Sequence, residues 1–431
     1  MTVLIKNVKL PEAYGFGTDN VTVEVCDRVF GSIGRAASKP EHLYDNVIDG
    51  KGNLLIPGFY NTHCHAAMTI FRGYGEDLPL DRWLNEKIFP AEDRLTHASV
   101  RVGAELAIAE MLSNGIVSFS DMYMFEDAVA EAVVETGIKA NLSRCIVSFT
   151  DEDPSKDSRV AESLALASRY HGMDDGRVRI DMSLHAEYTN TERMSRYVAA
   201  LAKERGFGIQ VHISETEKEH LEAMTRRGGR TPCEFFAECG LFDVPVTAAH
   251  CVWLSDNDCS IFAQKGVSIA HNPVSNLKLG SGVMSLRKML DAGINVTLGT
   301  DGTASNNNLD ILKEMQYAVL LAKGISRRPE SVTAAEMLPI ATVNGARAQG
   351  RDNCGRIETG YRADAVLIDM DSLHNIPSYG YETTLLYSAR SCDVRMTMVD
   401  GKILYRDGEF STIDVEKLKY HAKDVIKHYF D

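Results

Sequence analysis

Leu54-Leu55-Ile56-Pro57-Gly58-Phe59-Tyr60-Asn61-Thr62-His63-Cys64-His65 runs from an apolar, strand-forming stretch straight into two histidines at i and i+2. In an extended chain those two positions share a face, so both imidazoles can reach one ion. Three later stretches end the same way: residues 208–213 carry His212, residues 246–250 close on His250, and residues 295–300 lead into Asp301. Helical segments lie between them. Parallel strands that alternate with helices collect distant residues at their C-terminal ends, which is how a (β/α) barrel builds a site. Four strand ends delivering His-x-His, His, His and Asp point to metal-dependent hydrolysis.

Working outward, eight strand candidates are read at residues 54–61, 117–122, 139–145, 178–185, 208–213, 246–250, 267–271 and 295–300. One intervening helix shows the stripe Ala104, Ala107, Ile108, Met111 and Leu112, ending near Gly115. The alternation predicts an α/β fold, a (β/α)8 TIM barrel over residues 57–352. The glycine pattern of a dinucleotide site is absent after the first strand. Both termini read differently. Residues 1–56 alternate in strand fashion, as in Val21-Thr22-Val23-Glu24-Val25. Residues 353–431 hold the apolar run Ala365-Val366-Leu367-Ile368, a hairpin signal at Asp400-Gly401 and a charged helix over 415–429. The two β-rich ends are expected to fold together as a small β-sandwich.

At 431 residues the chain is long enough for a large core plus a smaller unit. Its formal charge of −14 disfavours phosphate backbones, so no nucleic-acid partner is expected. The nine cysteines show no C-x-x-C pair, which suits reduced thiols in a cytoplasmic protein. No run approaches the ~18 apolar residues of a membrane span, and Met1 to Leu10 lacks the apolar core of a signal peptide.

Each candidate residue has a plain structural alternative. His212 and His250 could be satisfied histidines at strand ends, and Asp301 could cap a helix. Glu92 after Pro90 could be a first-turn acid that suits the helix dipole, and Trp83 could be core. Their joint placement is what argues for chemistry. A second zinc-deaminase pattern, H-x-E with P-C-x-x-C, is half present as His185-Ala186-Glu187 and Pro232-Cys233. It fails because Phe236 stands where the second cysteine belongs.

The stretches PGFYNTHCH, LPLDRWLNEKIFPAEDRLT, HISETEKE, AAHCVWL, AHNPVSNLKLGSG and TLGTDGTASNNNLD together resemble the amidohydrolase superfamily, and within it the S-adenosylhomocysteine/5′-methylthioadenosine deaminases. The resemblance covers essentially the whole chain. It implies that His63, His65, His212 and Asp301 hold one divalent ion per subunit, zinc with iron allowed by ligand type. It implies conversion of an adenosine compound to its inosine analogue through a metal-bound hydroxide. Glu215 would protonate ring N1, His250 would position the water, and Asp301 would pass the water's proton to departing ammonia. Glu92 would accept from ribose hydroxyls, Arg144 would fork onto a homocysteine carboxylate with Arg159 as a second such group, and His185 would touch purine or sugar. Trp83 would pack on the 5′ side. Ser305 would face the site from the loop after Asp301, and Asn306–Asn308 would cap a helix starting near Leu309. Where the family more often has serine-proline after the histidine, this chain has Ala186-Glu187. A small nucleoside substrate and a homo-oligomer are implied. The rivals are another aminated or chlorinated heterocycle (guanine, pterin, cytosine, triazine) and a non-catalytic barrel that only binds.

Overall fold

The computed structural model describes residues 1–430. Strands Phe59–Cys64, Ile116–Tyr123, Lys139–Arg144 and Val178–Ile180 form a four-stranded parallel sheet. Met182–Leu184, Ile209–Ile213, Val246–His250, Ser268–His271 and Asn295–Leu298 form a five-stranded parallel sheet in that order. Hydrogen bonds join the sheets along both edges. Asp181 N donates to Leu142 O at 3.0 Å and His185 N to Ile146 O at 3.0 Å on one side. On the other, Thr300 N and Asp301 N both donate to His63 O, at 3.1 and 2.9 Å.

Two expected strands are broken, for identifiable reasons. The run 54–61 divides at Gly58, where an added Cβ would sit 2.3 Å from the Val117 side chain. Upstream of it, Leu54–Pro57 pairs antiparallel with Ala365–Ile368 in another sheet. The run 178–185 divides at Asp181, whose carboxylate accepts from Asn141 Nδ2 at 3.0 Å and Gln210 Nε2 at 3.3 Å. A half-buried acid satisfied from both flanking strands interrupts the ladder there.

The chain ends build two further sheets. One is ordered Val29–Gly34, Val21–Cys26, Thr2–Val8, Asn46–Asp49; the other Glu409–Phe410, Lys402–Arg406, Val394–Val399, Ala365–Ile368, Leu54–Pro57. The second has two apolar faces. Leu55, Ala365 and Leu367 join Val3, Ile5, Val23 and Val25 in a small cluster, whereas Leu54, Ile56, Val366 and Ile368 belong to the main core. Period-two alternation of wholly apolar strands produces this division. Asp400 and Gly401 take φ values of 48° and 75°, as a tight hairpin with two left-handed residues requires. The terminal helix runs Val415–Phe430. Among the described residues, no helix is long and apolar enough to cross a membrane.

A buried ion cluster ties the C-terminal segment to the starts of the parallel strands. Lys139, 1% exposed, pairs with Asp364 and, at 2.5 Å, with Asp400. Tyr60 donates its hydroxyl to Asp364 at 3.2 Å. Removing the lysine leaves Asp364 buried with no cation, while Asp400 keeps Arg362 at 3.3 Å, so Lys139→Ala is expected to cost about 3–5 kcal/mol. Urea or thermal unfolding reads this directly; a loss below about 1 kcal/mol would show that the cluster is hydrated or dispensable.

Candidate metal centre and substrate cleft

His63 and His65 flank Cys64, whose thiol turns away to Asp121 Oδ1 at 3.6 Å. His212 lies in the Ile209–Ile213 strand, His250 ends Val246–His250, and Asp301 follows Asn295–Leu298 by three residues. The structure brings all five together. Ring centroids lie 5.0 Å apart for His63 and His65, 4.8 Å for His63 and His212, and 5.4 Å for His63 and His250. Asp301 Oδ1 is 3.2 Å from His65 Nε2 and 3.6 Å from His63 Nε2. Candidate ligand atoms of His63, His212 and His250 lie within 4.8 Å of one another, as do those of His63, His65 and Asp301.

The backbone is bent to achieve this. His250 and Asp301 have φ of 69° and 61°, a left-handed conformation costly for residues with a Cβ. Such strain persists only where the surroundings enforce it. The outer ring nitrogens are occupied: His65 Nδ1 faces Met122 O at 2.6 Å, His212 Nδ1 faces His185 O at 2.7 Å, and His250 Nδ1 faces Asn276 Oδ1 at 2.8 Å. The backbone carbonyls facing His65 and His212 can only accept, so in those two rings Nδ1 carries the proton and the Nε2 lone pair is left for a cation. His63 Nε2 is buried without a hydrogen-bond partner. Burial and the crowd of imidazoles hold His212 well below its ordinary pKa, and burial foremost holds His63 to about 4. Burial lowers His65 too, but Asp301 outweighs it and lifts that imidazole to about 9. A proton on His65 and a cation at its Nε2 are therefore alternatives. The inward-facing Nε2 atoms of His65 and His212, the orphaned Nε2 of His63 and the Asp301 carboxylate fit a divalent metal.

Asp301 is gripped from behind. Its Oδ2 accepts from Ser275 Oγ at 2.6 Å and Ser305 Oγ at 2.8 Å, and its Oδ1 from Gly302 N at 2.7 Å. Ser305 is thus a partner of the carboxylate. Asp310, not the asparagines, caps the helix Ile311–Ser326. Asn306 is instead buried, donating to Thr300 O at 2.7 Å and Glu314 Oε1 at 2.6 Å.

Glu215 stands beside the cluster. Its Oε2 is 3.8 Å from His250 Nε2, its Oε1 accepts from Ser281 Oγ at 3.0 Å, and burial raises its pKa. Opposite, Tyr123 lies 5.9 Å from the His65 ring and donates its hydroxyl to Glu92 Oε1 at 2.7 Å. Burial pushes Glu92 up to about 7. Glu92 and Arg144 line one cleft of about 590 Å³ with Met124, Phe125 and Leu166. Arg144 Nε donates to Glu162 Oε2 at 2.6 Å across it. Arg159 does not line that cleft; it begins the helix Ser158–Tyr170 and pairs with Asp157 at 3.1 Å. His185 lies 5.0 Å from the His212 ring, with Nδ1 3.1 Å from Thr189 Oγ1. The adjoining Glu187 is salt-bridged to Arg226 and Arg227 at 2.6 and 2.5 Å, which closes this wall with an ion pair. Trp83 is 5% exposed in the main core, packed near Gly75. Ser275, Asn276 and Ser281 were not singled out from sequence, although all three sit in the stretch AHNPVSNLKLGSG.

The model of the Amidohydrolase family matches residues 54–404, which span the metal cluster, Glu215 and the cleft. The chain belongs to the amidohydrolase family. Among amidohydrolase relatives, it is 44% identical over 386 residues to a 5-methylthioadenosine/S-adenosylhomocysteine deaminase of Dictyoglomus thermophilum, covering 90% of each chain. It is 40% identical over 425 residues to a 5′-deoxyadenosine deaminase of Methanosarcina mazei, covering 98% of this chain and 96% of that one. A crystal structure of an adenosine deaminase from Xanthomonas campestris with bound zinc superposes with a TM-score of 0.92 at 30% identity, over 99% of this chain and 98% of that one.

Proposed function

We propose that this amidohydrolase is a hydrolytic deaminase of 5′-substituted adenosines: water replaces the 6-amino group, yielding the inosine analogue and ammonia. The observation that carries the reading is the placement of Glu215, 3.8 Å from His250, beside a cluster of four histidines and Asp301. The names of the relatives support the substrate class.

In this reading His63, His65, His212 and Asp301 hold one divalent cation, zinc by donor set with iron allowed; when bound, it supplies the Lewis acidity that lets water ionise near neutral pH. Glu215 delivers a proton to ring N1 as C6 becomes tetrahedral. His250, fixed by Asn276, positions the attacking water. Asp301, fixed by Ser275 and Ser305, takes that water's proton and passes it to the leaving ammonia. Donor and acceptor are different groups, as acid–base catalysis in both directions requires. Glu92 accepts from ribose hydroxyls. Arg144 receives a carboxylate on the 5′ substituent, exchanging it for Glu162. His185 borders the purine or sugar, and Arg159 is the weaker neighbour of Arg144.

The same reading takes the two parallel sheets as one closed (β/α)8 barrel over residues 57–352, supported by the hydrogen bonds at both edges. It takes the terminal sheets, residues 1–56 and 353–431, as a β-sandwich around their shared apolar cluster. A homo-oligomer in the cytoplasm completes it.

Ammonia release from S-adenosylhomocysteine, 5′-methylthioadenosine, 5′-deoxyadenosine, adenosine, guanine and a chlorotriazine tests the proposal. Turnover of at least one 5′-substituted adenosine, with guanine and triazine inert, is expected. No turnover of any adenosine compound would sink it.

A further inference from the structure

The helix Glu217–Arg226 starts at Thr216, whose hydroxyl accepts from Glu219 N at 3.1 Å. In an ordinary capping box the third-position glutamate reaches back to the cap residue's own N–H. Here it reaches further. Glu219 Oε1 accepts from Ser214 N at 3.0 Å and Oε2 from Glu215 N at 2.8 Å, so one buried carboxylate spans the two residues before the cap. Ser214 has φ of 49°, a left-handed conformation that a serine does not hold unaided. That turn redirects the chain from the strand end at His212 so that Glu215 faces the cluster.

The carbonyls of the same turn are also held. Cys251 N donates to Ile213 O at 3.0 Å and Trp253 N to Ser214 O at 3.1 Å. The Glu215 carboxyl is met by Ser281, whose own carbonyl accepts from the Trp253 indole at 2.7 Å. Four peptide groups around Glu215, the Ile213 and Ser214 carbonyls and the Ser214 and Glu215 N–H groups, are thus tied down. Glu219 holds both of the N–H groups.

We infer that Glu219 is a positioning residue, whose carboxylate fixes the Ser214–Glu215 backbone and thereby aims the Glu215 carboxyl at the ring nitrogen it protonates. The inference rests on the proposed role of Glu215. Misplacing a reacting group by about 1 Å can cost about a hundredfold in rate. The side-chain and capping hydrogen bonds of Glu219 all go to Ser214, Glu215 and Thr216, so its loss is expected in kcat and not in binding.

The test uses Glu219→Ala and the near-isosteric Glu219→Gln in the full-length, metal-loaded enzyme, assayed on whichever adenosine compound the wild type turns over best. Glu219→Ala is expected to lower kcat by about ten- to hundredfold with KM and metal content unchanged. Glu219→Gln keeps one acceptor and should fall by less. In a Glu215→Gln background the further loss should be under about threefold, because a residue acting only through Glu215 has nothing left to position. Amide hydrogen exchange gives a readout independent of activity: the Ser214 and Glu215 amides should exchange faster in both single variants than in the wild type. Unchanged kcat in a folded variant, an equal fold-loss in both backgrounds, or unaltered exchange at those two amides would overturn the inference. A wild type inert on every adenosine compound would instead sink the functional reading, and the exchange experiment would still decide whether Glu219 holds the turn.

Discussion

Glu215→Gln is expected to retain the metal and to lower turnover of the best adenosine substrate by ~10²–10⁴-fold, the usual contribution of a general acid–base group. Glutamine matches glutamate in size and keeps an oxygen to accept from Ser281 Oγ, so the loop and the surrounding packing persist. What it lacks is a proton to give to a ring nitrogen. The Ser281 hydroxyl, 3.0 Å away, is far too weak an acid to take over, and His250, 3.8 Å away, has its Nδ1 engaged by Asn276. Steady-state kcat and metal content measured on the same preparation check both halves of the expectation. Full activity in the glutamine variant would refute the proton-transfer role.

His212→Ala is expected to lose metal and activity together. His212 packs against four other imidazoles, at centroid distances of 4.8 Å to His63, 5.0 Å to His185, 5.5 Å to His65 and 5.5 Å to His250. Alanine there removes a proposed ligand whose tautomer is fixed by the His185 carbonyl. Elemental analysis after dialysis against metal-free buffer should find well below one equivalent, and added zinc should restore little turnover. A variant that keeps a full equivalent would remove His212 from the ligand set. The contrast with Glu215→Gln separates binding the ion from moving the proton.

Much of this was legible in the chain because the ligands sit at the ends of apolar runs. Short apolar runs located the strands, and the abrupt appearance of His63, His212, His250 and Asp301 marked where they end. The breaks at Gly58 and Asp181 were not legible, since each depends on a partner elsewhere: Val117 crowding the glycine, Asn141 and Gln210 satisfying the acid. The supporting shell was hidden for the same reason. Ser281 meets Glu215 across 66 positions and Ser275 meets Asp301 across 26, and pairings of that kind leave no periodic trace. The asparagines after Asp301 misled because a local rule, side-chain capping, lost to a buried contact with Glu314. The half-match to a second zinc-deaminase pattern ends in an ion pair of Glu187 with Arg226 and Arg227, which binds that acid to structure.

The strand Leu54–Pro57 has its partner in Ala365–Ile368. On the ribosome this strand therefore has only its bridge from Leu54 to Lys9 until about 300 more residues have been made. Until then Leu55 and the apolar residues of the first sheet have no lid, while the parallel strands can already assemble. Contacts so distant in sequence make this the slow, late step of folding. A chain stopped before Ala365 would keep every proposed metal ligand and Glu215, yet leave one side of Leu54, Leu55 and Ile56 open to solvent and to other chains.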